Sequence, residues 1–258
     1  MLRSIEDLKG CKVTCVDGHL GAVEHVYFDD ETWGIRFIVI VIEATGWNNW
    51  QEIWVSPFSV RGIDFAAGVV TLNLTQRQMT GSPPIDTRKP VSRLQESKLF
   101  DYYGCRPYWA ARATSTYASH PAGFNHSRQD LESLQLRPTL HVKGSRADIH
   151  LLSAQQAGSF SVATAEGAIG HVADFVFDDE TWVVRYMTVD TRDWWDSARE
   201  ILLSTEWIES VDSVRFTVST TLTRDAVEHS PAYVDDVPLN RMYETQLHNF
   251  YGREAYWS

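Results

Sequence analysis

The chain is written twice. Phe28-Asp29-Asp30-Glu31-Thr32-Trp33 recurs letter for letter as Phe177-Asp178-Asp179-Glu180-Thr181-Trp182. Gly18-His19-Leu20-Gly21 answers Gly167-Ala168-Ile169-Gly170 at the same spacing, and Tyr103-Gly104 and Tyr108-Trp109 answer Tyr251-Gly252 and Tyr256-Trp257 at a spacing one residue shorter. The first copy therefore carries one extra residue between Val41 and Gly46. About thirty of roughly a hundred aligned positions are identical, which makes the repeat a duplicated domain, too long for a solenoid unit. The expected organisation is a first repeat over 1–109, a linker over 110–149 and a second repeat over 150–258.

Each copy reads as short strands. β-Branched and aromatic residues bounded by turn residues predict strands at Cys11–Val16, Gly21–Phe28, Trp33–Ile42, Gln51–Phe58, Val60–Asp64 and Val69–Leu74, with partners in the second copy. Asp17-Gly18 and Glu166-Gly167 sit where a tight hairpin tolerates positive φ. The expected fold is mainly β: two tandem small barrels, since closure removes exposed sheet edges. Each barrel is large enough to bury its own core. A helix is expected after each, over Pro90–Leu99 with Ser92 and Gln95 as a capping box, and over Pro238–Leu247 with Asn240 as N-cap. Gly104 and Gly252 fall where a left-handed C′ residue ends a helix, and an aromatic tail follows. Ala110–Asp148 has little periodicity, with one helical turn expected at Leu131–Leu136.

Charge separates the copies. Residues 1–149 hold 16 Lys and Arg against 16 Asp and Glu; residues 150–258 hold 7 against 18 and contain no lysine, so the whole net charge of −11 lies in the second half. Phosphate backbones would be repelled by such a repeat, so nucleic acid is not an expected partner. A basic partner would be attracted, and a solubilising role accounts for the same surface. With no run of 18 apolar residues and acids near the start, no transmembrane segment and a cytoplasmic location are expected. Cys11, Cys15 and Cys105 form no even disulfide framework.

The ordered motifs Gly-x-x-Gly-x-Val (Gly167–Val172), Phe-Asp-Asp-x-Thr-Trp-x-x-Arg-Tyr (Phe177–Tyr186), Val189-Asp190-Thr191, Glu200–Ser204 and Tyr251–Trp257 resemble the PRC-barrel family. The first copy fits less closely, with Ile40-Val41-Ile42 in place of Val-Asp-Thr. That family takes its name from a β-barrel shared by the cytoplasmic domain of the photosynthetic reaction centre H subunit and the C-terminal domain of the ribosome-maturation factor RimM. The resemblance implies a bacterial docking module without catalysis. It also implies two alternatives: a part in reaction-centre-type electron transport, with a membrane-associated partner, and ribosome-assembly assistance. Neither the H subunit's transmembrane helix nor RimM's N-terminal domain is expected here, so the sequence looks more like free-standing tandem PRC-barrel proteins.

Candidate site residues follow from the repeated motifs. Asp29, Asp30, Glu31 and Asp178, Asp179, Glu180 are adjacent acids whose side chains point in different directions, a poor arrangement for an acid/base pair that must converge on one substrate. They suit a polar turn in which an Asp accepts backbone N–H groups, an opportunistic cation, or partner docking. Trp33 with Arg36, and Trp182 with Arg185, stand three apart on a strand and so on opposite faces, as a barrel plug with a turn-pairing Arg or as interface anchors. The tails Tyr108, Trp109 and Tyr256, Trp257 either pack on their own barrel or cross to the other copy or to a second chain, which would give a homodimer. Cys11 and Cys15 share a face but lack metal or redox spacing. No nucleotide, zinc or nucleophile motif occurs, so neither a cofactor nor an enzymatic activity is expected.

Overall fold

The computed structural model describes residues 1–43, 50–85, 91–105, 151–195, 199–233 and 239–257. In chain order the strands of the first half are β1 (Leu2–Ser4), β2 (Lys12–Cys15), β3 (Gly18–Asp29), β4 (Ile35–Glu43), β5 (Trp50–Val55), β6 (Val60–Asp64) and β7 (Val69–Leu72). Those of the second are β8 (Leu151–Ser153), β9 (Ser161–Thr164), β10 (Gly167–Asp178), β11 (Val183–Asp190), β12 (Glu200–Ser204), β13 (Ile208–Asp212) and β14 (Thr217–Thr220). The fold is mainly β, built as two sheets of the same topology. Their orders are β5-β4-β3-β2-β7-β6 and β12-β11-β10-β9-β14-β13, each with one parallel pair, β2 with β7 and β9 with β14.

The first strand of each repeat leaves its own sheet. β1 pairs antiparallel with β10 of the second repeat, Leu2 opposite Asp178, while β8 pairs with β3 of the first, Leu151 opposite Asp29. The two registers are equivalent, so the exchange is reciprocal about a pseudo-twofold axis. No periodicity flags a three-residue strand, and both exchanged strands escape sequence reading for that reason.

The exchange joins the repeats into one core. Phe28 and Phe175, both essentially unexposed, meet across the axis with ring centroids 4.9 Å apart. One continuous apolar cluster contains Val26, Ile38 and Ile40 from the first repeat and Phe177, Met187 and Leu203 from the second. Two separately closed cores do not form, because Leu8 and Ala157, which follow the exchanged strands, are buried in this shared cluster.

Alternation along β4 serves two layers at once. Ile38, Ile40 and Ile42 point into the shared core, whereas Phe37 and Val39 point to the other face. There they meet Trp54 and, from the helix Arg93–Tyr103, Leu99 and Phe100. That helix starts at a Ser92/Gln95 capping box and ends at left-handed Gly104 (φ 67°); its counterpart Arg241–Tyr251 starts at Asn240 and ends at Gly252 (φ 60°).

Two sequence expectations are corrected. Among the described residues no ladder joins β5 to β6 or β12 to β13, so the sheets are open where closed barrels were expected. The chain passes from β5 to β6 through the 3-10 turn Pro57–Ser59, and from β12 to β13 through Thr205–Trp207; each turns a corner instead of forming a hairpin. Strand β4 starts at Ile35 and β11 at Val183, not at the tryptophans, because Trp33 (φ 59°) and Trp182 (φ 56°) adopt the left-handed region. The expected linker, with its helical turn at Leu131–Leu136, lies outside the described residues. Among the described residues no helix is long and apolar enough to cross a membrane.

Candidate functional site

The repeated acidic motif sits on the pseudo-twofold axis. Each copy ends a long strand, turns through the acids, and delivers its tryptophan to the other repeat. The Trp33 carbonyl accepts from Val184 N–H and the Trp182 carbonyl from Ile35 N–H, both at 2.8 Å. Each indole packs against the phenylalanine that opens its own motif, Trp33 stacked on Phe28 and Trp182 tilted against Phe177, with centroids 5.5 Å apart in both cases.

The acids within each turn take different roles. Asp29 is buried at 1% exposure, and its Oδ1 accepts from Thr32 N–H (2.8 Å) and the Thr32 hydroxyl (2.6 Å). Arg36 in turn donates to that hydroxyl at 2.6 Å, and Arg93 stands 4.0 Å from Asp29 Oδ2. Burial pushes the Asp29 carboxyl up, but the Thr32 donors with Arg36 and Arg93 outweigh it, leaving the group below its ordinary value. Asp178 likewise accepts from Glu180 N–H (3.1 Å) and the Thr181 hydroxyl (2.8 Å). Arg3, on the exchanged β1, lies 3.8 Å from Asp179. Glu31 and Glu180 are exposed, and Asp30 and Asp179 are half-buried. In the second copy the three carboxylates share one cation from the chain itself, the N-terminal ammonium of Met1, which bonds Asp179 and lies 3.5 Å from Asp178 Oδ1 and 3.8 Å from Glu180 Oε1. Among the described residues no three His, Cys, Asp or Glu side chains are grouped to hold a metal.

Arg185 and the second tail come together elsewhere, over the outer face of β11. The Arg185 guanidinium lies over the Tyr256 ring at 4.4 Å, and Arg241 lies over Trp257 at 4.0 Å. The tail thus folds back on its own repeat. Tyr108 and Trp109, its expected equivalents, lie outside the described residues.

Beneath this tail is a buried polar cluster that sequence reading missed. Tyr186 (0% exposed) from β11 donates to Glu244 Oε1 at 3.1 Å and lies 3.0 Å from His248 Nε2. The Tyr256 hydroxyl donates to the same Glu244 oxygen at 2.8 Å, and Arg241 lies 3.2 Å from the other. His248 Nδ1 lies 2.9 Å from the Glu254 carbonyl, and the ring packs edge-on against Trp207 and Trp257. Burial drives the Tyr186 phenol far above its usual range, with the adjacent Glu244 adding to it; Tyr256 is pushed up to about 12 by the same two causes. In the first repeat the aligned residues are Phe37 for Tyr186 and Phe100 for His248, whereas Arg93 and Glu96 are kept, 3.6 Å apart. The readable signal was this pair of polar replacements at aligned apolar positions on two different elements.

The cysteines are structural. Cys11 and Cys15 are buried and free, and burial raises both thiols, with Asp7 and Asp17 adding to the shift. A cavity of about 160 Å³ lies between the repeats, lined by Lys9 and His25 of the first and Gln155 and Asp174 of the second. Burial lowers His25, and nearby Glu52 and Glu24 oppose the shift only in part.

Comparison with known proteins adds no family. No family model matches this chain, and no curated protein does.

Proposed function

We propose that this chain is a non-enzymatic docking scaffold built from two PRC-barrel-like repeats, and that its second repeat recruits a basic protein partner. One contrast carries the reading: the acids of the repeated motif are largely spent on the fold, whereas the acids peculiar to the second repeat face water. Asp29 and Asp178 cap their own turns. By contrast, Asp193, Glu206, Glu209, Asp225 and Glu228 are all exposed. A rigid unit presenting one neutral and one acidic repeat steers and orients a cationic partner, an interaction that weakens as salt screens it. The PRC-barrel resemblance, in which the barrel serves docking, points the same way.

The test is capture from native lysate by the immobilised full chain at about 50 mM and at about 500 mM salt, concentrations that bracket strong and weak screening. A basic protein should be retained at low salt, released at high salt, and lost when Glu206, Glu209, Asp225 and Glu228 are together changed to Lys. Recovery of no partner at low salt, or capture indifferent to that reversal, refutes the proposal.

A further inference from the structure

The β13–β14 hairpin keeps the backbone of its first-repeat counterpart and changes its side chains. Its turn, residues 213–216, aligns with residues 65–68. Both turns are capped alike: Asp64 Oδ1 accepts from Ala67 N–H, and Asp212 Oδ1 from Val214 and Arg215 N–H, each at 2.9 Å. The last turn residue is left-handed in both, Gly68 at φ 62° and Phe216 at φ 54°. Its carbonyl accepts from Lys12 N–H in one sheet and from Ser161 N–H in the other. Glycine takes that conformation freely, whereas a bulky side chain there is strained. The first repeat has the glycine; the second has a phenylalanine.

Burial offsets little of that strain. Phe216 is 58% exposed, its ring meeting Phe160 edge-on at 5.5 Å, and Val214 is 84% exposed. In the first repeat these places hold Gly68 and Ala66, and the bulky residue of the turn, Phe65, packs against the core beneath Arg3. Strain and exposure together, where the backbone asks for glycine, mark a side chain kept for contact with another molecule. The strand leading to the tip supplies charge. Glu206 and Glu209 are exposed where the first repeat has Phe58 and Arg61. Strand β13 is the last of its sheet, with no ladder on its outer edge among the described residues. Arg215 lies 3.8 Å from Asp212, so the tip itself sets no net charge against a cation.

We propose that this hairpin is the contact site of the basic partner: an extended Lys- or Arg-rich segment runs along the β13 edge and seats an apolar residue on Val214 and Phe216. The assignment rests on the docking reading of the second repeat and narrows it to one hairpin. A second copy of the chain fits less well, because it would bring two lysine-free acidic repeats together.

Fluorescence anisotropy on the full chain at low salt tests this with two labelled synthetic peptides of equal lysine count. One alternates Lys with Ser; the other is the same with a Leu pair at its centre. The Leu-bearing peptide should bind about tenfold more tightly, the effect of burying roughly one apolar side chain. Phe216→Gly and, separately, Val214→Ser should bring it down to the affinity of the other, while the melting midpoint of Phe216→Gly does not fall. If neither peptide binds the parent chain, the docking reading fails and this assignment with it. If both bind equally, or the advantage survives Phe216→Gly, the assignment alone is overturned. It is overturned too if the midpoint falls with the affinity, which gives the ring to the fold, or if sedimentation shows a dimer that Phe216→Gly abolishes, which gives the tip to a second copy.

Discussion

Replacing Phe175 by Ala should destabilise both repeats together, although the residue belongs only to the second. Its ring is 1% exposed and lies 4.9 Å from that of Phe28, across the pseudo-twofold axis. Truncating a core Phe costs about 3–5 kcal/mol, including the cavity it leaves. The tilted pair with Phe28 contributes a part of that, on the order of 1 kcal/mol beyond area burial. Against a total of roughly 5–15 kcal/mol for a typical domain this is a large fraction. For a cooperative unit of 150–250 residues each kcal/mol moves the melting midpoint by about 2–4 °C, so a drop of about 6–20 °C is expected. Calorimetry should give one transition for the parent chain and one for the variant, with the van't Hoff enthalpy equal to the calorimetric value in both. Two resolved transitions, with only one shifted by Phe175→Ala, would refute the argument that reciprocal exchange of β1 and β8 fuses the repeats into one folding unit.

Asp29→Asn keeps the turn acceptor but removes the charge facing Arg36 and Arg93, at an expected cost of about 1–3 kcal/mol by urea unfolding at neutral pH. The parent carboxyl is depressed, so its contribution is present above the ordinary value of 3.8 and is lost as pH falls through the lower folded value; the Asn variant should show a flatter stability profile in that acid window, and an identical profile refutes the assignment. Gly170→Ala would place a Cβ 2.5 Å from the Asp190 carbonyl and 2.6 Å from Val189 Cγ1, and Gly21→Ala one 2.3 Å from the Val41 carbonyl; each should cost about 1–3 kcal/mol in the same assay, and a neutral result would mean the paired strands are less closely apposed. Cys11 and Cys15, buried and with thiols raised by desolvation, should resist a thiol reagent at pH 8 until the chain is unfolded; rapid native labelling of either in the Cys105→Ser background contradicts that placement.

What the amino-acid sequence discloses here is whatever acts locally. The Ser92/Gln95 box, the Asn240 cap, left-handed Gly104 and Gly252, and strands β6 and β13 follow from residues a few positions apart, and each stands where local chemistry predicts it. The Trp33 and Trp182 conformations were hidden, since a left-handed tryptophan runs against propensity and persists only because both carbonyls are engaged by the opposite repeat. The β1 and β8 exchange was hidden for a related reason: three residues carry no usable period, and their partners lie well over a hundred positions away. The polar cluster beneath the second tail was missed. Tyr186 and His248 stand on two different elements at positions where the first repeat has Phe37 and Phe100, and only the fold brings them together beside Glu244.

The same geometry explains which parts of the duplication stayed identical and which drifted. A turn on the pseudo-twofold axis meets its own copy: the Trp33 carbonyl serves Val184, and the Trp182 carbonyl serves Ile35. A change in one turn alters the environment of both, so a substitution must suit two partners at once, and the six-residue motif is the same in each repeat. The seats of the C-terminal helices lie on the outer faces of β4 and β11, and into the first of them the exchanged β8 adds Leu151 of the second repeat. There Phe37 with Phe100 in the first repeat answer Tyr186 with His248 in the second. The acidic side chains that distinguish the second repeat are likewise on its exposed surface. Divergence is least at the repeated motif and reaches even the shared core, where Val26 answers Phe175 and Cys11 answers Phe160, so specific docking is to be sought on the exposed surface of the second repeat and not at the repeated motif.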